Sequence, residues 1–336
     1  MSDKTGKLAL GRGLDVGTMN LIAARQLGAK IQHKRMRDAF LALDPGAKKM
    51  LKLTGADFVE RDEELLILGD AALDLANVFG QEARRPLNQG LIAAGEIDAL
   101  EVLAIMIKSI LGEPTEKNEV CCFSVPAPPR DAPDRDIIYH QGVFEQIVEE
   151  CGYDAIASNE AMAIIYSECA PELFSGLGFS FGSGMTNVAL AVNTIEGMTF
   201  SVARGGDWID AGAAKSLGST RARMCSIKEK GLDLTNPQGR EQKALALYYK
   251  SLITYAIDQV SKQFKTVQGR FELPKPIPIV LSGGTSLAGG FLEFFTQVFN
   301  EQKRFPIEIS EIRMASDPLN AVANGLLVQA MQEYAG

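Results

Sequence analysis

The sequence is short of several things, and each shortage removes a class of function. It holds only two histidines, His33 and His140, in 336 residues. They stand too far apart to suggest a histidine-rich metal site or a relay. Its five cysteines, Cys121, Cys122, Cys151, Cys169 and Cys225, are odd in number and form no C-x-x-C pair. Buried, reduced thiols and a reducing compartment are the expectation. Basic blocks are missing as well. Against 42 Asp and Glu there are 34 Lys and Arg, so the net charge is −8. Such a chain is a poor electrostatic partner for nucleic acid. The most apolar stretch, residues 91–111, contains Glu96, Asp98, Glu101 and Lys108. It reads as a buried amphipathic helix and not as a membrane span. The first residues, MSDKTGKLALGRG, lack the apolar core of a signal peptide. A cytoplasmic location is therefore expected.

Familiar nucleotide signatures are absent too. No G-x-x-x-x-G-K-[ST] run occurs. Neither Gly11-x-Gly13 nor Gly182-x-Gly184 completes G-x-G-x-x-G, because Val16 and Asn187 occupy the third site. The kinase H-R-D and D-F-G sets are missing.

What is present is an ordinary soluble composition, 46% hydrophobic and 23% charged, at a length suited to two domains. Strand-like and helix-like segments alternate. Residues 8–24 read as β structure broken at Gly17, 65–68 as a short strand, and 119–125 as a strand stopped by Pro126. Residues 179–193 form a second glycine-broken apolar run, and 277–281 a buried strand. Helices are expected over 97–111, with Leu100, Leu103, Ile107 and Leu111 on one face, and over 136–151, 242–264, 291–299 and 319–334. This alternation argues for an α/β fold.

One stretch has an echo. Gly13-Leu-Asp-Val-Gly-Thr-Met-Asn followed by Leu-Ile-Ala-Ala returns as Gly178-Phe-Ser-Phe-Gly-Ser-Gly-Met-Thr-Asn followed by Val-Ala-Leu-Ala. Both read as strand, glycine turn, strand, which suggests two like-folded lobes with a ligand between them. In the first, Gly17 allows a tight turn whose backbone N–H groups can approach an anion, and Thr18 and Asn20 add short polar side chains. Asp15 ends the incoming strand at the same mouth, where a carboxylate beside phosphates suits a hydrated Mg²⁺. In the second, Gly182, Ser183 and Gly184 form another anion-friendly turn. A third cluster, Ser282-Gly283-Gly284-Thr285, links a buried strand to a helix, as ligand turns of α/β folds do. Each of these also fits a plain glycine turn.

In this order and spacing the three turns resemble those of the actin/Hsp70 ATPase superfamily. The likeness spans nearly the whole chain and is greatest to bacterial actin-like proteins of the MreB/MamK type. Leu14 to Asn20 resembles the first phosphate motif, with Met19 included. Arg85-Pro-Leu-Asn-Gln-Gly-Leu-Ile92 is similar to an MreB-like RPxxxGxI segment, and Val125-Pro126-Ala127 to a strand end before a connecting helix. Asn159-Glu160-Ala161 resembles the start of the first connecting helix, whose Glu orients the attacking water. Arg204-Gly205-Gly206-Asp207, with Asp210, resembles a GGDxxD helix start. Ile279 to Thr285 resembles the adenosine motif, and Asp317 to Gly325 the second connecting helix.

The resemblance implies an actin-like (ribonuclease H-like) α/β fold with two lobes and a central nucleotide cleft. Lobe I would cover 1–153, with a small upper subdomain at about 31–68. Lobe II would cover 154–318, with its small subdomain at about 200–262, and residues 319–336 would return to lobe I as a C-terminal helix. ATP or ADP with Mg²⁺ would bind Asp15, Gly17, Thr18, Met19 and Asn20 on one side. Gly182, Ser183, Gly184, Met185 and Thr186 would face them, with Gly205, Gly206, Asp207, Lys228, Gly283, Gly284 and Thr285 completing the site. Glu160 and Asp15 would serve catalysis, Asp15 holding the metal through water. Lys228 and Glu229 are candidates for the nucleoside, with solvated helix charges as the plain alternative. The sole tryptophan, Trp208, is expected in packing and not in ligand stacking.

The second phosphate motif departs from the pattern. Ser180 stands where the family has Asp, and Met185 where it has the first Thr of a pair; Ala161 replaces a usual Pro. Loss of one water-positioning group slows a reaction by about ten- to a thousandfold. Nucleotide binding with slow hydrolysis is therefore expected. The implied partner is the chain itself, in a head-to-tail filament, with a membrane-associated partner left open and no nucleic acid. Two other readings stay open: a non-polymerising actin-fold adaptor of a membrane or division assembly, and a small-molecule kinase of the same superfamily.

Overall fold

The computed structural model describes residues 10–335 apart from 62, 270–272, 274, 275 and 303. Leu8 and Ala9 of the expected first β segment, the polar residues 1–7 and Gly336 lie outside the described residues.

Two five-stranded sheets carry the fold. The first opens with an antiparallel meander, β1 (Arg12–Val16), β2 (Asn20–Leu27) and β3 (Lys30–Arg37). A small unit follows: β4 (Phe40–Leu43), α1 (Lys48–Thr54), β5 (Phe58–Arg61), β6 (Glu64–Leu68) and α2 (Asp70–Phe79). Its three strands form their own sheet in the order β4-β6-β5. The chain then makes a short hairpin of β7 (Leu87–Asn88) and β8 (Leu91–Ile92). Next come α3 (Ala99–Leu111), β9 (Val120–Val125), α4 (Ile138–Glu150) and β10 (Asp154–Asn159). β9 joins β1 in parallel and β10 joins β9, so the first sheet reads β10-β9-β1-β2-β3.

The second sheet repeats this topology. After α5 (Glu160–Glu168) comes the meander β11 (Gly176–Phe181), β12 (Thr186–Val192) and β13 (Ile195–Val202). Three helices follow, α6 (Gly206–Leu217), α7 (Arg221–Gly231) and α8 (Gly239–Val267), and they pack on one another. The chain closes with β14 (Ile277–Ser282), α9 (Phe291–Asn300), β15 (Ile309–Met314) and α10 (Ala321–Ala335). The order β15-β14-β11-β12-β13 matches the first sheet strand for strand. The inner strands β9, β11 and β14 are buried at every position. Unbroken apolar runs belong in strands covered on both faces.

Two helices tie the sheets together. α5 follows the first sheet and packs on the second; α10 follows the second and packs on the first. Glycines permit the close approach. A Cβ on Gly13 of β1 would overlap the α10 backbone at Ala323 and Leu327. One on Gly178 of β11 would lie 2.7 Å from the Ala161 carbonyl of α5. Gly325 of α10 rests in turn on the backbone of Ala163.

Three expectations are revised. The boundary expected at 153/154 cuts ahead of β10, yet β10 pairs with β9 along Asp154–Asn159, so the first sheet extends to Asn159. The upper unit expected from residue 31 starts after β3, because β3 pairs with β2 over its full length. In α3, Leu100 is exposed, and the core stripe is Val102, Leu103, Met106, Ile107 and Ile110.

Candidate nucleotide site

A cavity of about 310 Å³ opens between the two sheets. Its two facing walls are the β1–β2 and β11–β12 hairpin turns. Each turn closes with the same bond: the Gly17 N–H donates to the Asn20 carbonyl at 3.0 Å, and the Gly182 N–H to the Met185 carbonyl at 2.9 Å. Asn20 therefore corresponds to Met185, not to the Asn187 that the sequence echo places beside it. Between the closing residues, the N–H groups of Thr18, Met19, Ser183 and Gly184 donate to nothing within the described residues. The buried Ser183 hydroxyl is likewise unpartnered. Donors left open beside a cavity suit an anion.

The turns almost touch. The Thr18 hydroxyl accepts the Gly90 N–H at 2.9 Å, and a Cβ on Gly184 would overlap both groups. Gly90 sits at φ +83° in the β7–β8 turn, against the Met185 side chain. Met185 is buried, with its sulfur 3.6 Å from the Ser201 hydroxyl oxygen. It works as packing between the two lobes.

Beside the turns, two carboxylates face the cavity, Asp15 at the end of β1 and Glu160 at the start of α5. Asn159 caps α5 by accepting from the N–H groups of Ala161 and Met162 at 3.0 and 3.2 Å, which sets Glu160 in the first turn. Asp15 accepts from the Ser124 hydroxyl at 3.1 Å. Burial raises the pKa of both acids, and the charge of Asp15 raises Glu160 further. Among the described residues no group of three or more His, Cys, Asp and Glu could cage a metal directly. The donor set fits a hydrated Mg²⁺ bound through water and phosphate oxygens, which such an ion prefers to an all-protein cage.

Lys228, Glu229, Gly283, Gly284 and Thr285 line the other end. Gly283 has φ +95°, and a Cβ there would overlap the Phe181 backbone. Gly284 is different: a Cβ would meet only Leu319 Cδ1 at 3.9 Å. The Lys228 ammonium bonds Asp210 at 2.6 Å and the Gly206 carbonyl at 3.2 Å. Arg37 of β3, which lines the cavity, lies 3.7 Å from Glu229, and Arg85, outside the lining, lies 3.3 Å from Asp207.

Four expected site residues stand behind the wall. The Thr186 hydroxyl donates to the Arg204 carbonyl at 2.9 Å, which turns it away. Gly205 and Gly206 back the second turn, with the Gly206 N–H donating to the Gly182 carbonyl at 3.0 Å. The Asp207 N–H bonds the Ser183 carbonyl at 2.9 Å, while its carboxylate pairs with Arg85 and Arg221. Trp208 packs edge-on against Tyr248, outside the cavity lining. Sequence reasoning missed Ser124, Arg35, Arg37, Tyr249 and Asn187. Ser124 left a signal as a lone polar residue in the apolar run of β9, and Asn187 left one as the last residue of the echoed turn.

Duplicated sheets, two swapped helices and a cavity between matching turns define an actin-like fold. The chain belongs to the Volactin family, whose model matches residues 10–330. Among solved structures it is similar to the MamK double helical filament, with TM-score 0.72 and 17% identity over 96% of this chain and 98% of that one. It is similar to MreB5 of Spiroplasma citri bound to ADP, with TM-score 0.67 and 17% identity over 97% and 98%. The ethanolamine utilization protein EutJ from Carboxydothermus hydrogenoformans follows the same fold, with TM-score 0.54 and 13% identity over 98% and 92%. A search of the curated proteins returns no match. No helix among the described residues is long and apolar enough to cross a membrane.

Proposed function

We propose that the chain binds ATP with Mg²⁺ between its two lobes, hydrolyses it slowly and assembles with copies of itself into head-to-tail filaments in the cytoplasm. The observation that carries the reading is the pair of matching turns, with four open N–H groups and an unpartnered serine hydroxyl beside one cavity. Thr18 to Asn20 and Ser183 to Gly184 would take the phosphates from opposite sides. Gly284 leaves room for the nucleoside next to Lys228 and Glu229. Mg²⁺ held by Asp15 through water would offset phosphate charge. Glu160 would accept a hydrogen bond from the attacking water. Turn two offers Ser180 and Met185 where a charge and a hydroxyl would assist, so turnover is slow.

The similarity to a structure described as a filament supports self-assembly. A ligand that bridges both turns favours the closed arrangement, and a self-contact that does not close a ring gives an open polymer. Sedimentation with and without ATP, followed by electron microscopy, tests this. Filaments that need nucleotide support the proposal. A nucleotide-loaded protein that stays monomeric contradicts its assembly half and favours an adaptor.

A further inference from the structure

Asn187 was no part of the expected site, yet both ends of its side chain are committed. It is buried, lies on β12 and lines the cavity. Its amide nitrogen donates to Glu160 Oε2 at 2.8 Å. Its carbonyl oxygen accepts the Ala127 N–H at 3.1 Å. The amide orientation follows from chemistry, since a backbone N–H only donates and a carboxylate accepts.

The second partner is unusual in where it comes from. Ala127 lies on the excursion between β9 and α4, both elements of the first lobe. This excursion docks on β13, the edge strand of the second sheet. Pro129 bridges Ser201 in parallel, and the Arg130 N–H donates to the Ser201 carbonyl at 2.9 Å. The Ser201 hydroxyl donates to the Ala127 carbonyl at 2.7 Å. Asp131 accepts the Ala203 N–H at 2.7 Å. Ser201 and Asn187 stand opposite each other on β13 and β12. Together they hold both polar groups of the Ala127 peptide. Pro126, Pro128 and Pro129 have no N–H, so few donors remain to fix the register. Ala127 and Arg130 supply them.

We infer that Asn187 is a positioning residue: it orients the Glu160 carboxylate and makes that orientation depend on docking of residues 127–131 against β13. The inference rests on the reading that Glu160 serves hydrolysis. With the excursion docked, the Asn187 amide is pinned at its oxygen and its nitrogen presents one fixed donor to Glu160. With it undocked, the amide can rotate and the carboxylate loses its anchor. The first lobe thereby reports its position to the hydrolytic carboxylate through one side chain.

The test compares single-turnover phosphate release from ATP with the affinity for a fluorescent ADP analogue. Asn187→Leu keeps the branched outline, with bulkier methyl groups, and removes both hydrogen bonds. Release is expected to fall at least about tenfold, with analogue affinity within about twofold. Ser201→Ala leaves Glu160 and Asn187 in place. It is expected to slow release by about threefold in the parent, and to add nothing to Asn187→Leu, because both act along one path. Parent-like release by Asn187→Leu overturns the positioning role. An equal Ser201→Ala effect in both backgrounds overturns the dependence on docking. If the leucine variant does not fold, Asn187→Ser serves, since it cannot span Ala127 and Glu160 together. A parent that binds the analogue but releases no phosphate overturns this inference and leaves nucleotide binding intact. A parent that binds no nucleotide overturns the proposed function itself.

Discussion

Turn one carries Asp15 two residues ahead of Gly17, and turn two carries Ser180 two residues ahead of Gly182. Their backbones match, down to the N–H to carbonyl bond that closes each. Their chemistry does not. Turn one has a carboxylate braced by Ser124; turn two has a small hydroxyl, an unpartnered serine and a methionine packed under Gly90. A duplicated frame thus keeps open backbone donors on both sides, while a carboxylate stands on one side only. Backbone donors depend on the turn alone, whereas acid chemistry depends on single side chains.

The largest effect is expected where the third glycine turn meets the second. Gly283→Val needs a left-handed backbone and overlaps Phe181, so a loss of at least about 3 kcal/mol and insoluble expression are expected. Gly284→Val meets only Leu319 at ordinary contact distance and is expected to fold with an unchanged melting curve. Equal stability of the two would break the account of why two adjacent glycines are there.

Next comes the contact between turns. Gly184→Ala collides with Gly90 and Thr18, so the lobes must part. Small-angle scattering should show an expanded particle, with nucleotide affinity lower by about tenfold or more, near 1.4 kcal/mol. Met19→Ala at the matching place in turn one should leave the particle unchanged. Expansion in both variants would mean that the turns do not set the spacing.

Giving turn two the chemistry of turn one is a third step. Ser180→Asp with Met185→Thr should raise phosphate release by about tenfold with Mg²⁺ present. Ser180 and Met185 are both buried, so the double variant should melt lower without nucleotide and recover with it. No gain in release would show that other residues organise the water.

The last effect accrues gradually with pH and concerns Asp38, which follows β3 where Ala203 follows β13. Asp38 is buried, with one oxygen accepting the Leu87 N–H at 3.1 Å and the other unpartnered. Burial raises its pKa to about 8, although the Leu87 hydrogen bond and Arg85 oppose the shift. The folded chain then holds a proton that the unfolded chain gives up above the ordinary carboxylate range. Stability from this group is full below that range and is lost as the pH rises through about 8. The slope is about 1.4 kcal/mol per pH unit. Asp38→Asn should flatten the slope in denaturant melts between pH 5 and 9. An unchanged slope would assign the sensitivity elsewhere.

Much of this frame was legible. The echo at Gly13 and Gly178 showed the duplication, because both copies need glycine against a crossing helix and again in the turn. The apolar runs of β9, β11 and β14 announced inner strands. The cavity wall was less legible. Thr186 belongs to the same motif as the wall residues Ser183 and Gly184, and Gly205, Gly206 and Asp207 to a motif of their own, yet all four stand behind the wall. The role of Asn187 stayed hidden because it depends on Ala127, sixty residues away and reached only when the excursion docks on β13. The boundary at 153/154 failed for a similar reason: strand pairing, not a break in composition, puts β10 in the first sheet.

The central claim, that nucleotide sits between the two turns with its nucleoside over Gly284, is tested most directly by titrating the parent and Gly284→Val with fluorescent ATP and Mg²⁺. The account predicts saturable binding by the parent. Gly284→Val, with the same melting curve, should bind at least about a hundredfold more weakly, a loss of about 2.7 kcal/mol. Equal affinity of the two folded proteins would contradict it.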